Sequence, residues 1–267
     1  MIFLIGGTSE AVPIAGELAV RGMPVLLSTA TEIPLHAPLP RGVQRRTGRL
    51  DREGMLRVIR AYDCRVVVDA SHPYAAEVSR CARAAAQAAK IPYVAYERPP
   101  AVPPGAPVTR AADHLQASQA ACACGVPVLL TIGTKYLEPY VTEAGRRNIR
   151  LVVRILDVAQ SWTACRRLGL SATDIVAGRG RLDYEETLAL LKDRGIGVLV
   201  TKDSGREGGV PAKLKAAEAA GCRVVVVERP ARPRPAFRDI GALVDAVGYA
   251  WAEGVFPAEG RGPAKTT

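Results

Sequence analysis

The chain matches itself. Gly48-Arg49-Leu50-Asp51 opens a stretch that closes on Glu97-Arg98-Pro99, and Gly180-Arg181-Leu182-Asp183 opens another that closes on Glu228-Arg229-Pro230. Between these markers each copy carries a polar–apolar helical run, then a buried-strand run, Val66-Val67-Val68 in one and Val198-Leu199-Val200 in the other. A short polar loop, an Ala-rich helix and a second apolar strand follow in both. Upstream, Ile2-Phe3-Leu4-Ile5-Gly6-Gly7-Thr8 is echoed by Val128-Leu129-Leu130-Thr131-Ile132-Gly133-Thr134. Such a repeated alternation argues for parallel sheets covered by helices. The expected fold is therefore α/β, with two domains related by the repeat. Two facing units make a cleft, where small-molecule chemistry usually sits. The corresponding polar loops differ, Asp69-Ala70-Ser71-His72-Pro73 against Thr201-Lys202-Asp203-Ser204-Gly205, so the scaffold is duplicated and the chemistry is not.

The pattern predicts strands at 2–5, 25–28, 66–69 and 93–96 and helices at about 11–21, 52–62 and 75–90 in the first half. The second half reads as a helix near 113–124 and strands at 128–132, 150–155, 174–177, 198–201 and 224–228, with helices between and a closing helix at 240–253. Prolines 99, 100, 103, 104 and 107 exclude a regular element, and Arg232-Pro233-Arg234-Pro235 reads as another extended spacer. The expected boundaries are a domain over 1–99, a Pro-rich linker over 100–112, a domain over 113–256 and a frayed tail over 257–267.

At 48% hydrophobic the chain can build real cores, and no apolar run approaches the ~20 residues needed to span a bilayer. Met1 leads directly into a strand with no basic region or cleavage site, and the six cysteines lack metal or redox spacing. Both point to a cytoplasmic protein with reduced thiols. A formal charge of +10 suggests a small polyanionic ligand, although only seven of the 36 cations are Lys and the Arg excess is partly compositional. Nucleic acid fits poorly, because the basic residues are dispersed and only three Phe and two Trp are present.

Gly6-Gly7-Thr8-Ser9-Glu10-Ala11 follows the first strand and opens the first helix, where a Rossmann phosphate loop belongs. Glycines let the backbone approach a pyrophosphate, and the helix start offers N–H groups. An ordinary strand–helix turn is the alternative. The second strand ends Ser28-Thr29 without an acidic residue for a ribose 2′-hydroxyl, and Arg45, Arg46 and Arg49 follow, which points to NADP rather than NAD. Asp69, Ser71, His72 and Tyr74 stand at the carboxyl end of the third strand, the ligand edge of a parallel sheet, although Asp69 or Ser71 could simply cap the Ala-rich helix. The matching edge of the second half, Thr201 to Gly209, is the densest polar cluster. There Lys202 offers a proton or a cation, while Ser204, Gly205 and Gly208 suggest close backbone approach to a ligand. Gly133-Thr134-Lys135 could bind an anion at a helix start or cap it, and Arg154 and Arg179 are candidate carboxylate clamps. No metal-binding spacing is present, and His36 and His114 read as isolated loop residues.

Together these motifs resemble the precorrin-6A reductase family of cobalamin biosynthesis from about 2 to 230. The resemblance rests on the glycine loop, Gly48-Arg49-Leu50-Asp51, Asp69 to Tyr74, Glu97-Arg98-Pro99, Gly133-Thr134, Thr201 to Gly209 followed by Lys213, and Glu228-Arg229-Pro230. The family often has Thr where this chain has Ser71, and Gly-Pro-Phe where it has Gly178-Arg179-Gly180. The resemblance implies two Rossmann-like domains able to exchange a strand. It also implies NADPH-dependent reduction of one ring D C=C bond of precorrin-6A, metal-free or cobalt-bound, to precorrin-6B. Such a substrate carries many carboxylates, which suits a basic chain. Gly6, Gly7, Thr8, Ser9, Glu10, Ser28, Thr29, Arg49, Asp69 and Ser71 would then hold the cofactor, with no metal required. Gly133, Thr134, Lys135, Arg154, Thr201, Ser204, Gly205, Gly208 and Lys213 would hold the substrate. Lys202, His72, Asp203 and Tyr74 are candidates for supplying the proton. Neighbouring enzymes of the corrin pathway are candidate partners. The alternatives are a reductase of another polycarboxylate and a nucleotide or tetrapyrrole sensor.

Overall fold

The computed structural model describes residues 1–255 except Ile33 and His36; the expected tail over 257–267 and the reading of His36 lie outside the described residues. In chain order the elements are β1 (Ile2–Ile5), α1 (Ala11–Val20), β2 (Val25–Thr29), β3 (Val43–Thr47), α2 (Arg52–Ala61), β4 (Val66–Asp69), α3 (Ala76–Ala89), β5 (Tyr93–Tyr96), β6 (Thr109–Ala111) and α4 (His114–Cys122). Then come β7 (Val128–Leu130), α5 (Glu138–Arg147), β8 (Leu151–Leu156), α6 (Ala159–Arg167), β9 (Ile175–Gly178), α7 (Tyr184–Asp193), β10 (Val198–Lys202), α8 (Val210–Ala219), β11 (Arg223–Val227), β12 (Ala236–Phe237) and α9 (Ile240–Glu253).

The strands form two six-stranded parallel sheets, β3-β2-β1-β4-β5-β12 and β9-β8-β7-β10-β11-β6. Each has the Rossmann strand order, and each gains its sixth strand by the strand exchange that the resemblance implies. Beyond β5 the chain runs into β6, which pairs with β11. Beyond β11 it returns to β12, which pairs with β5 through Ala236↔Ala95 and Phe237↔Tyr96. The two compact units are accordingly Met1–Arg98 with the described residues from Pro230 onward, and Pro99–Arg229. This corrects the sequence-based boundaries. The linker at 100–112 contains a strand of the second sheet, and the expected second domain ends at Arg229 rather than 256. The physical reason is burial: Leu243, Val244, Val247 and Ala250 of α9 join the core built by Ile2, Leu4, Ile14, Leu18 and Val68.

Alternation along β1 sends Ile2 and Leu4 toward that core, and Phe3 and Ile5 toward a second one with Met55, Ile59, Ala82 and Ala86. The second unit repeats this covering, with Leu191, Val210 and Ala216 packed on Leu129, Leu199 and Val226. The repeated Gly-Arg-Leu-Asp is a glycine turn followed by a helix cap. Gly48 and Gly180 have φ of +105° and +69°. Asp51 accepts from the Gly54 N–H at 2.7 Å, and Asp183 from the Glu186 N–H at 2.8 Å.

Candidate active site

In a sheet of this order, ligands bind where the connections diverge, beyond the carboxyl ends of the two central strands. That point lies between β1 and β4 in the first unit, and between β7 and β10 in the second. The loops there are the ones singled out by sequence.

In the first unit, Gly6 and Gly7 have different tasks. A Cβ on Gly6 would lie 2.5 Å from Leu27 Cδ1 and 2.8 Å from Ala11 Cβ, so this glycine permits close strand–helix packing. A Cβ on Gly7 would meet none of the described residues within 4 Å, and its φ is +113°. Gly7, Thr8 and Ser9 line a pocket of about 130 Å³ with Val12, Thr29, Thr31, Pro34, Leu35 and Arg45. Among the described residues no side chain caps the start of α1, which suits an anion there. Arg45 donates to Thr29 Oγ1 (3.0 Å) and to the Thr31 carbonyl (3.0 Å), so it stands beside the end of β2 where a nucleotide ribose would lie. Arg46 donates to Ser28 Oγ at 2.8 Å and holds the turn at Gly48, whereas Arg49 is exposed and outside the pocket.

Glu10, expected to face the cofactor, instead pairs with Arg98. The Arg98 Nε donates to Oε1 at 2.5 Å, and both side chains are nearly buried. Burial pushes the Glu10 carboxyl up, but Arg98's hydrogen bonds and charge outweigh it and hold the group below its ordinary value. Asp69 is fully buried rather than facing a ligand. Tyr93 donates to Oδ2 at 2.9 Å, the Ser71 N–H donates to Oδ1 at 3.0 Å, and Arg232 to Oδ1 at 3.1 Å. Arg232 also donates to the Ser71 carbonyl at 3.0 Å. The supposed spacer thus fastens the Asp69–Ser71 loop. Neither Asp69 nor Ser71 caps α3, whose N-cap is Ala75. His72 Nδ1 accepts from the Tyr74 N–H at 3.2 Å, which places the proton of the neutral ring on Nε2.

In the second unit Lys202 ends β10. Burial, then the charge of Lys135, lower its ammonium to about 8. Lys213, in the first turn of α8, is also lowered to about 8 by burial, then by Lys202 and Arg154. These effects bring Lys135, Arg154, Lys202 and Lys213 into one electrostatic cluster. Asp203, another candidate for supplying the proton, is engaged as an acceptor. It accepts from the N–H groups of Ala101 (2.9 Å), Val102 (3.3 Å) and Gly205 (3.2 Å), and from Arg229 (3.1 Å). Gly208 has to be glycine, since a Cβ would fall 1.9 Å from Ser204 Oγ. Thr201 is fully buried, and its hydroxyl has no partner among the described residues. Arg154 is not an open clamp. It donates to the carbonyls of Ile155, Gly178 (3.1 Å) and Gly180 (3.3 Å), which fixes the Gly178-Arg179-Gly180 turn. Gly133-Thr134-Lys135 does not start a helix, because α5 begins at Glu138 with Leu137 as its N-cap. His114 is not isolated. It stacks on Tyr136 and lies 3.1 Å from the Tyr140 hydroxyl. No local signal marks it, since its neighbours come from a later loop and helix.

The signature described as "Precorrin-6x reductase CbiJ/CobK" matches residues 1–248. The cobalt-precorrin-6A reductase of Priestia megaterium is 32% identical over 86% of this chain and 91% of its own length. The precorrin-6A reductase of Rhodococcus erythropolis is 32% identical over 93% of this chain and 96% of its own. A solved structure titled "CobK precorrin-6A reductase" superposes with a TM-score of 0.74 at 27% identity, covering 96% of this chain and 98% of that one. Among the described residues no helix is long and apolar enough to cross a membrane. The chain belongs to the precorrin-6x reductase family.

Proposed function

We propose that the protein reduces one C=C bond of precorrin-6A or its cobalt form, using NADPH, in cobalamin biosynthesis. The observation that carries the cofactor reading is the pocket joining Gly7, Thr8 and Ser9 to Thr29, Thr31 and Arg45. Its parts fit a dinucleotide: an open glycine for the pyrophosphate, hydroxyls at the end of β2 for the ribose, and an arginine where NADP carries its 2′-phosphate. A reduced nicotinamide held by this unit supplies the hydride. This chain's own residues then supply the proton for the neighbouring carbon.

Lys202 is the best placed of the four candidates. An ammonium lowered to about 8 is still charged near neutrality and is a stronger acid than an ordinary lysine. Asp203 is committed to four donors, and His72 and Tyr74 belong to the loop after β4. Lys135 and Lys213 complete a cationic edge for a polycarboxylate, with the Gly205–Gly209 backbone beside it. The chemistry suits a cytoplasmic enzyme receiving its substrate from neighbouring enzymes of the corrin pathway.

The test is oxidation of NADPH by the purified protein with metal-free and cobalt-bound precorrin-6A, and with NADH as a control. Turnover of at least one form, with NADPH preferred, is expected. Failure of both forms would remove the reaction.

A further inference from the structure

The carboxyl edge of the second sheet carries a ring stack to which the reaction chemistry assigns no role. His114 opens α4 just beyond β6, and Tyr136 lies on the loop between β7 and α5. Their rings stand 4.5 Å apart with planes 18° from parallel. The hydroxyl of the fully buried Tyr140 lies 3.1 Å from His114 Nδ1. Burial raises the Tyr140 phenol well above its ordinary value, so it stays protonated and donates. Burial, then the charge of Lys202, lower His114 to about 4, so the imidazole is neutral. The stack is thus anchored at His114, yet Tyr136 is 38% exposed, with the Lys135 ammonium 5.3 Å from its ring centre. Leu156, the last residue of the adjacent β8, and Val158 just beyond it are 51% and 43% exposed at the same sheet edge.

A purely structural pair would be expected to bury its outer ring. A solvated loop tyrosine would not be stacked on an anchored imidazole. We propose that the His114–Tyr136 stack is a docking platform for the flat conjugated face of the substrate, while Lys135 pairs with a peripheral carboxylate. This rests on the reading that the second unit takes the macrocycle. A conjugated ring rimmed with carboxylates matches both the aromatic surface and the surrounding cations, and an aromatic contact of this kind is worth roughly three- to tenfold in affinity.

The experiment compares Tyr136→Ala, Tyr136→Phe, Tyr136→Trp and Lys202→Ala in the full chain, using the form of precorrin-6A that the wild type reduces. Tyr136→Ala is expected to raise KM for the macrocycle by roughly three- to tenfold, leaving kcat and NADPH affinity near wild type. Tyr136→Phe keeps the ring and should behave as wild type. Tyr136→Trp places a reporter in the stack, and the macrocycle should quench it beyond the quenching of the two native tryptophans. Unchanged KM in Tyr136→Ala, together with no added quenching, overturns the platform. If Lys202→Ala still alters kcat or KM in that case, the substrate assignment stands and the platform alone falls. If neither variant responds, both fall.

Discussion

Two ammonium groups sit at the carboxyl edge of the second sheet, and both give up a proton more easily than an ordinary lysine. Lys202 and Lys213 are each lowered to about 8, first by burial and then by neighbouring cations. Between about pH 8 and the ordinary lysine value of 10.5, the unfolded chain binds more protons than the folded one. Stability therefore rises with pH across that window, which urea unfolding at pH 7.5, 9 and 10 (about these values) would register. Activity should respond in the opposite sense, because Lys202 loses its charge above about 8. If Lys202 donates the proton, kcat falls above that pH and Lys202→Arg loses about 10²–10⁴-fold in kcat. If it only pairs with a carboxylate, KM rises instead, and Lys202→Arg abolishes the rise because arginine stays charged. In the first unit, Arg45 is fixed by Thr29 and Thr31. Arg45→Ala should cut the preference for NADPH over NADH by roughly ten- to a hundredfold, or ~1.5–3 kcal/mol, measured as the ratio of dissociation constants. An unchanged ratio would move the 2′-phosphate elsewhere.

Three loops owe their shape to arginines outside the regular elements. Arg98 holds Glu10 of the glycine loop, Arg229 holds Asp203, and Arg232 holds Asp69. Asp69 is fully buried and the Arg232 side chain is 7% exposed, so removing one partner strands a buried charge. Arg232→Met should cost about 3–5 kcal/mol in denaturant unfolding, and adding Asp69→Asn should recover part of it. A loss in the double variant equal to the sum of the Arg232→Met and Asp69→Asn losses would show that the pair is not coupled. These clamps also show where sequence reading stopped. The glycine loop and the Lys202 loop were legible because glycines and polar residues follow apolar strands at fixed places. The Glu-Arg-Pro markers were visible as a repeat, but their carboxylate partners, far away in sequence, were not. Nor were β3, β6 and β12. Gln44, Arg45 and Arg46 break the apolar pattern of β3, and the other two are edge strands of three and two residues beside prolines. Such short segments are set by tertiary pairing rather than by their own propensity.

At the scale of the whole chain, the exchanged strands decide which piece can fold alone. Each unit needs a sixth strand and the helix that follows it, and the two differ in where these come from. For the second unit, β6 and α4 precede the other five strands, so Pro99–Arg229 contains a complete sheet. For the first, β12 and α9 arrive only after the whole second unit has been threaded. A fragment of residues 1–98 therefore lacks the strand that covers the β5 edge. It also lacks Leu243, Val244 and Val247, which are fully buried in its core. Exposing that apolar face leaves a surface that favours aggregation. The boundary suggested by sequence, 113–256, errs in the other direction, since it omits β6 and carries β12 and α9 without the sheet they cover. Expressed separately, residues 99–229 should be monomeric and unfold cooperatively, whereas 113–256 and 1–98 should aggregate or lack a cooperative transition. A chain that joins 1–98 directly to 230–255 through a short Gly/Ser linker restores the first sheet and should recover cooperative unfolding together with NADPH binding. Cooperative folding of 113–256 but not of 99–229 in calorimetry would show that the exchange is not what completes the second sheet.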